Sequence, residues 1–442
     1  MTKVLVVSPP FYSHARPLAV LAGALARFGV DVTFACIPQL KHLAGQNGIR
    51  FLEFEGATNR NLGNAQMDQA ADDQHRLEMF LQATRVGAVD ALVRQARNRL
   101  ADMFPNPPLI RQAIARICSD VDPDWCLTDQ LSYSTTLALH CLRIPFASVC
   151  IGHPSDIPAP GSIFGVPDCW PPEVSIDELK LKELREVALQ VDVEATMRFN
   201  SVIAANDRCV ASVASALSFS SNQARVFNYP ANLADYPSVS GRDLFMGHCS
   251  SLSDKLSGEW RSRLKALSGF PKVLVSLGTF QWIHSDLLRI IVGGVLAAAP
   301  NAAVVVAAGP SKLSLADMGS EHVLIEEFVP QNDLLAEMDL IIHHGGNNSF
   351  TEALANSVPS IVAPFASDQF SVAYDVSRVG LGLVVDPNSR YLRDDITAAV
   401  NSIFRDDIAA NVSRVAAQVR ARGPAWAAEV LCKRMGQVDI FF

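Results

Sequence analysis

The apolar run Leu340-Ile341-Ile342-His343 leads straight into His344-Gly345-Gly346-Asn347-Asn348-Ser349-Phe350-Thr351-Glu352. A strand that ends in paired glycines and restarts as a helix does a specific thing. The glycines let backbone approach a ligand closely, and the first helical N–H groups are left pointing outward. That arrangement suits a phosphate or diphosphate. The dipole contributes only about 0.3–2 kcal/mol, so His344 and the Asn and Ser side chains must add hydrogen bonds. The same letters also admit a plain structural use, because Ser349-Phe350-Thr351-Glu352 has the spacing of a capping box. His343 and His344 point to opposite faces of a strand, so one of the two at most faces a ligand. Around this core stand Phe328-Val329-Pro330-Gln331, Val358-Pro359 and Asp368-Gln369.

The surrounding sequence supplies elements able to position such a turn. Lys3 to Val7 is a short β-branched run ended by Pro9-Pro10, which reads as a buried parallel strand. A helical pattern follows from about Pro17 to Phe28, then a strand from Val30 to Ala35. A second strand–helix–strand unit runs through Asp124–Leu127, Ser132–Leu142 and Phe146–Val149. The pattern restarts after residue 270, with strands at Val273–Leu277, Ala303–Ala307, Leu340–His343 and Ser360–Ala363. Helices are expected at Leu287–Ala299 and Ser349–Ala355. Two runs of alternating strand and helix predict two doubly wound α/β domains joined between Ser238 and Glu259. Gly152 to Pro172 is a proline-rich irregular loop, of a kind that often covers a site. Glu173 to Ala216 is helical in period. The last stretch, Pro424 to Phe442, begins as a helix and ends in an apolar Ile440-Phe441-Phe442 that should dock rather than stay in solvent.

Composition narrows the function. The 442-residue chain carries 37 Lys+Arg against 45 Asp+Glu, a net charge of −8. That argues against broad binding to nucleic acid or an anionic membrane while leaving room for a local anion site. Nine scattered cysteines with no C-x-x-C fit a reducing cytoplasm. The uncharged stretch Ile290–Ser311 has the length of a membrane span, but Pro300-Asn301 breaks it into a helix and a strand. No clean apolar core follows Lys3 for a leader peptide. Asp120-Val121-Asp122-Pro123-Asp124 contains D-x-D, a metal-binding pattern in another transferase fold. Here it precedes a strand and holds a proline, and reads as a solvated turn. No G-x-G-x-x-G follows the first strand, which disfavours a dinucleotide oxidoreductase.

From Phe328 to Gln369 the ordered elements resemble the donor-binding signature of the family-1 nucleotide-sugar glycosyltransferases. The two-domain outline resembles that family's GT-B fold across nearly the whole chain. The resemblance implies an N-terminal acceptor-binding domain over 1–240 and a C-terminal donor-binding domain over 260–423. Residues 424–442 would return as a helix to the N-terminal domain. It implies that Phe328 stacks on the nucleobase, and that Gln331 and Glu352 sit near base and ribose. His344, Gly346, Asn347, Asn348 and Ser349 would hold the diphosphate with Thr279, and Asp368 and Gln369 the sugar. Ser8 to Pro17 resembles the loop whose His, here His14, is the general base, and Asp129 resembles the acid that orients it. An imidazole suits the role because its unperturbed pKa near 6.5 lets a neutral base exist at working pH. A carboxylate on the other nitrogen stabilises the cation that forms. Taken alone, His14 could merely cap the next helix and Asp129 could N-cap the one after it.

The expected reaction is inverting, metal-independent transfer from a UDP-sugar, with glucose expected, to a hydroxyl of a lipophilic small molecule. No cofactor beyond that co-substrate is expected, and a monomer or weak homodimer in the cytoplasm is. Phe80, Phe104, Ile163, Phe164 and Trp170 are apolar candidates for the acceptor pocket. Three departures from the family pattern stand out: Ser13 before the His, Ser357 before Val358-Pro359, and Val372 where an Asn often follows the Asp-Gln pair. Transfer from a dTDP-deoxysugar, epimerisation of the nucleotide sugar, sugar phosphorolysis on the same fold, and a non-catalytic binding partner are the alternatives.

Overall fold

The computed structural model describes residues 1–55, 71–206, 210–234, 236–238, 241–250, 256–278 and 285–436, with the side chains of 71–73 and 406 excepted. Among the described residues thirteen strands build two sheets. The first contains β1 (Lys3–Val7), β2 (Asp31–Cys36), β3 (Arg50–Glu53), β4 (Trp125–Asp129), β5 (Phe146–Cys150), β6 (Ala224–Phe227) and β7 (Asp243–Phe245). The second contains β8 (Lys272–Ser276), β9 (Ala303–Ala307), β10 (Val323–Glu326), β11 (Leu340–His343), β12 (Ser360–Val362) and β13 (Gly382–Val384). The orders are β3-β2-β1-β4-β5-β6-β7 and β10-β9-β8-β11-β12-β13. Every pairing is parallel. The strand sequences explain this. Val4 to Val7, Val273 to Val275 and Leu340 to Ile342 are wholly buried, as strands covered by helices on both faces must be.

The expected strands and helices are present, with shifted ends. The first sheet runs on to Phe245, past residue 240. The first helix spans Tyr12–Arg27 rather than starting at Pro17, so Pro17 lies inside it. The proline-rich loop is irregular but for a short 3-10 turn at Pro154–Asp156, and a 29-residue helix, Glu178–Asn206, follows it. In the D-x-D segment Asp122 ends a helix in a left-handed conformation, and Asp124 Oδ2 accepts the Lys3 N–H at 2.8 Å. Among the described residues no helix is long and apolar enough to cross a membrane.

The chain crosses between domains twice. Met246–His248 leads out of the first, and Val419–Gly423 leads back. The crossings touch: the Gly423 N–H donates to the Met246 carbonyl at 2.7 Å. Gly247 (φ 82°) packs against Val419, and Gly423 (φ 96°) against His248. The helix Pro424–Met435 then packs on Tyr12–Arg27, burying Ala427, Ala428 and Leu431 in the N-terminal core. The apolar Ile440-Phe441-Phe442 lies outside the described residues.

One buried ion pair holds the far edge of the first sheet. Arg225 on β6 meets Asp243 on β7 through two bonds of 2.6 Å, and both side chains are nearly inaccessible. Tyr236 Oη lies 3.1 Å from the same guanidinium. Asp243→Ala leaves that cation buried without its carboxylate. The expected loss of folding stability is about 3–5 kcal/mol, read as a lower midpoint in chemical denaturation.

Candidate active site

In each sheet the strand order reverses once, between β1 and β4 and between β8 and β11. Open parallel sheets bind ligands at that point, beyond the carboxyl ends of the strands. The segment leaving β1 carries His14, and Asp129 ends β4. The segments leaving β8 and β11 carry Gly278 and His344–Gly346. Residues from all of these except Asp129 line one cavity of about 750 Å³ between the domains.

On the N-terminal side, His14 Nδ1 lies 2.8 Å from Asp129 Oδ2. Asp129 is 1% exposed and His14 20%, so the carboxylate is sealed behind the ring while the ring meets the cavity. Asp129 does not N-cap the following helix, which begins at Tyr133 with Ser132 before it. Its Oδ1 instead accepts the Leu131 N–H at 2.8 Å. The carboxylate is therefore fixed at both oxygens. Burial pulls the His14 pKa down, but the charge and hydrogen bond of Asp129, helped by Asp368, outweigh it and hold the imidazole above 6.5.

On the C-terminal side, β11 ends as the sequence implied. His343 is fully buried and its Nδ1 accepts the Gly345 N–H at 3.0 Å, while His344 lines the cavity. Burial, opposed by the Ser276 carbonyl, pushes the His344 pKa down to about 4, and burial beside His344 pushes His343 to about 3. Both rings are thus uncharged near neutrality. The His344 ring is wedged between two glycines. A Cβ on Gly278 (φ 77°) would stand 2.6 Å from it, and one on Gly346 would stand 2.4 Å from its Nε2.

The helix after the turn spans Asn347–Ala355, with Gly346 as N-cap and no side-chain cap. The capping-box reading therefore fails, because the helix starts two residues early and Ser349 is already inside it. Its Oγ accepts from Gln331 Nε2 at 3.1 Å instead. A glycine N-cap leaves the first helical amides without a side-chain acceptor, open to an anion.

The two asparagines fasten the domains together. Asn347 Nδ2 lies 2.6, 3.1 and 2.8 Å from the carbonyls of Ile151, Gly152 and Asn228. Its Nδ2 is thus committed to N-terminal carbonyls rather than to the donor expected from the sequence, although Asn347 still lines the cavity. Asn348 Oδ1 accepts from Asn228 at 2.9 Å, and its Nδ2 donates to the Ser13 carbonyl at 2.7 Å. That carbonyl is available because Pro17, four residues on, has no N–H to give it.

Around the rest of the cavity, Glu352 Oε2 accepts from Gln331 at 2.9 Å and Oε1 takes Arg16 from the other domain at 2.8 Å. Phe328, 65% exposed, forms part of the wall. Asp368 accepts the His153 N–H at 2.8 Å. Gln369 Oε1 accepts the Phe365 and Ala366 amides, which fixes the loop before it. Burial raises the Asp368 pKa, and burial with the nearby Asp368 raises that of Asp156. Thr279 lies outside the described residues.

Of the apolar candidates, Phe80 lines the cavity. The other four do not, which corrects the expectation drawn from residue type. Phe104 packs on Phe199, with ring centroids 6.0 Å apart. Phe164 lies under the Arg99 guanidinium, Trp170 packs on Phe370, and Ile163 joins the core. Leu77, Met103 and Leu131 form apolar wall that sequence reading missed, as it missed Arg16. Nothing in a single sequence marks which apolar residues face a gap.

Comparison with known proteins agrees with this geometry. Residues 296–433 match the family described as "Erythromycin biosynthesis protein CIII-like, C-terminal domain". The chain is 29% identical over 211 residues to a demethyllactenocin mycarosyltransferase of Streptomyces fradiae, covering 47% of this chain and 43% of that protein. It thus spans under half the length of that relative. A glycosyltransferase of kitacinnamycin superposes with a TM-score of 0.67 at 20% identity, covering 98% of both chains. The glycosyltransferase VinC in complex with dTDP superposes with 0.66 at 17% identity, covering 99% of this chain and 100% of that one. The fold is GT-B. Within that fold, residues 296–433 are similar to the EryCIII-like C-terminal domain.

Proposed function

We propose that this chain is an inverting, metal-independent glycosyltransferase that moves a sugar, glucose in our reading, from UDP to a hydroxyl of a lipophilic small molecule. The observation that carries it is one cavity with a carboxylate-backed imidazole on one wall and an uncapped helix N-terminus beside a neutral histidine on the other. His14 takes the acceptor proton as the oxygen attacks the anomeric carbon from the side opposite the diphosphate. Its charge is then balanced by Asp129. The departing diphosphate is met by the amides at Asn347 to Ser349 and by His344, groups already oriented before reaction. Phe328 takes the base, Glu352 and Gln331 the ribose, and Asp368 with Gln369 the sugar. Phe80, Leu77, Met103 and Leu131 offer the acceptor an apolar wall. Glu352 favours UDP over dTDP, because a ribose offers its carboxylate two hydroxyls and a deoxyribose one. The scattered free cysteines suit a cytoplasmic setting.

The test is purified protein with UDP-glucose, other UDP-sugars and dTDP-sugars, and a panel of apolar phenols and polyols. Mass spectrometry reads glycosylated product and NMR coupling constants its anomeric configuration. A β-linked product from an α-linked donor is expected. A retained configuration, an isomerised donor without acceptor, or no transfer with any pair would overturn the proposal.

A further inference from the structure

We propose that Arg16 supplies the positive charge by which this site distinguishes a nucleoside diphosphate from a nucleoside. Its ion pair with Glu352 is then the resting arrangement that donor binding exchanges. The proposal rests on the donor reading above and adds to it a residue that belongs to the opposite domain.

Negative charge must be met by something in this cleft. His344 and His343 stay neutral, with pKa values pushed down to about 4 and about 3. Among the described residues the wall's other guanidinium, Arg76, lies 3.5 Å from Asp102, which lines the same cavity. Arg16 differs. It lines the cavity, and its side chain is 31% exposed. One of its five N–H donors reaches Glu352 Oε1 at 2.8 Å. Its carboxylate partner sits on the helix whose first amides are uncapped, and shares Gln331 with Ser349 in that helix's first turn. Arg16 is thus anchored beside the anion site rather than in it.

The exchange leaves no buried charge stranded. If Arg16 turns to a diphosphate, Glu352 keeps the Gln331 amide and gains ribose hydroxyls. The Arg16 backbone stays in place, because Asn348 holds the Ser13 carbonyl at 2.7 Å.

Calorimetric titration of the full chain with UDP and with uridine tests this, in wild type, Arg16→Met and Arg16→Lys, each first checked for an unchanged melting temperature. Arg16→Met should weaken UDP about 10- to 100-fold, the scale of a lost charged hydrogen bond. Uridine should bind as well as before or better, since Glu352 is freed. Arg16→Lys should keep most of the UDP preference, and raising salt should weaken UDP less in the methionine variant than in wild type. Equal loss of UDP and uridine, or unchanged UDP binding, in Arg16→Met would overturn the proposal. Wild type that binds neither UDP nor dTDP would instead bring down the donor reading itself.

Discussion

His14→Ala is expected to lower turnover about 100- to 10,000-fold, the range of a lost general base, while UDP affinity stays unchanged. The ring lies on the opposite wall from the helix amides, so a nucleotide gives up nothing when it goes. Loss of UDP binding together with turnover would show that His14 is structural. The pH profile carries a second expectation. A base works when neutral, and Asp129 holds His14 above 6.5, so kcat/KM should fall on the acid side with a midpoint above 6.5. Asp129→Asn keeps the bond to Leu131 but removes the charge. Burial is then opposed only by the Asp368 charge, and the midpoint should move down even as the rate drops. Stability runs the other way. A histidine whose folded pKa is raised stabilises fully below 6.5, and that contribution fades as pH rises through the folded value.

Gly346→Ala is expected to weaken donor binding. A Cβ at that position stands 2.4 Å from His344 Nε2, closer than any two such atoms can settle. The backbone there is extended (φ −60°, ψ 134°), so alanine meets no torsional objection, and the whole effect must come from the ring. The His344 ring must shift to make room for the methyl group. Loss of its hydrogen bond, about 1–3 kcal/mol if the ligand's oxygen is then left unpaired, should weaken UDP about 5- to 150-fold. Titration with UDP reads it directly, and a crystal structure of the variant should show a turned imidazole. Full UDP affinity would mean that His344 does not touch the diphosphate.

Much of the fold is legible in the sequence, because buried parallel strands must be nearly all apolar and proteins seldom spell Val-Leu-Val-Val for another purpose. Strand ends were found to within a residue or two at β1, β4, β8 and β11, and these are the ends that matter. The sequence puts the helix after β11 two residues late because Ser349-x-x-Glu352 imitates a cap while the real N-cap, Gly346, has no side chain to announce it. The first helix reads as starting at Pro17 for a related reason, since proline usually opens a helix. Its unusual interior position frees a carbonyl that the other domain then takes. Contacts between domains left no trace. Arg16 and Glu352 are 336 positions apart, and Asn347 reads as a ligand-binding residue until its three carbonyl acceptors are seen. Aromatic type offers Phe104, Phe164 and Trp170 for the acceptor pocket, but they pack against protein instead.

The paired crossings at Met246–His248 and Val419–Gly423 bear on how such proteins can be recombined. A chimera that exchanges the acceptor-recognising half cannot be made by a single junction. A cut near residue 246 alone would give the new N-terminal half a foreign terminal helix, with Ala427, Ala428 and Leu431 aimed at a surface that did not evolve to receive them. The exchangeable unit is discontinuous: residues up to Phe245 together with Pro424–Met435, spliced at two adjoining points so that the pair of linkers is inherited intact.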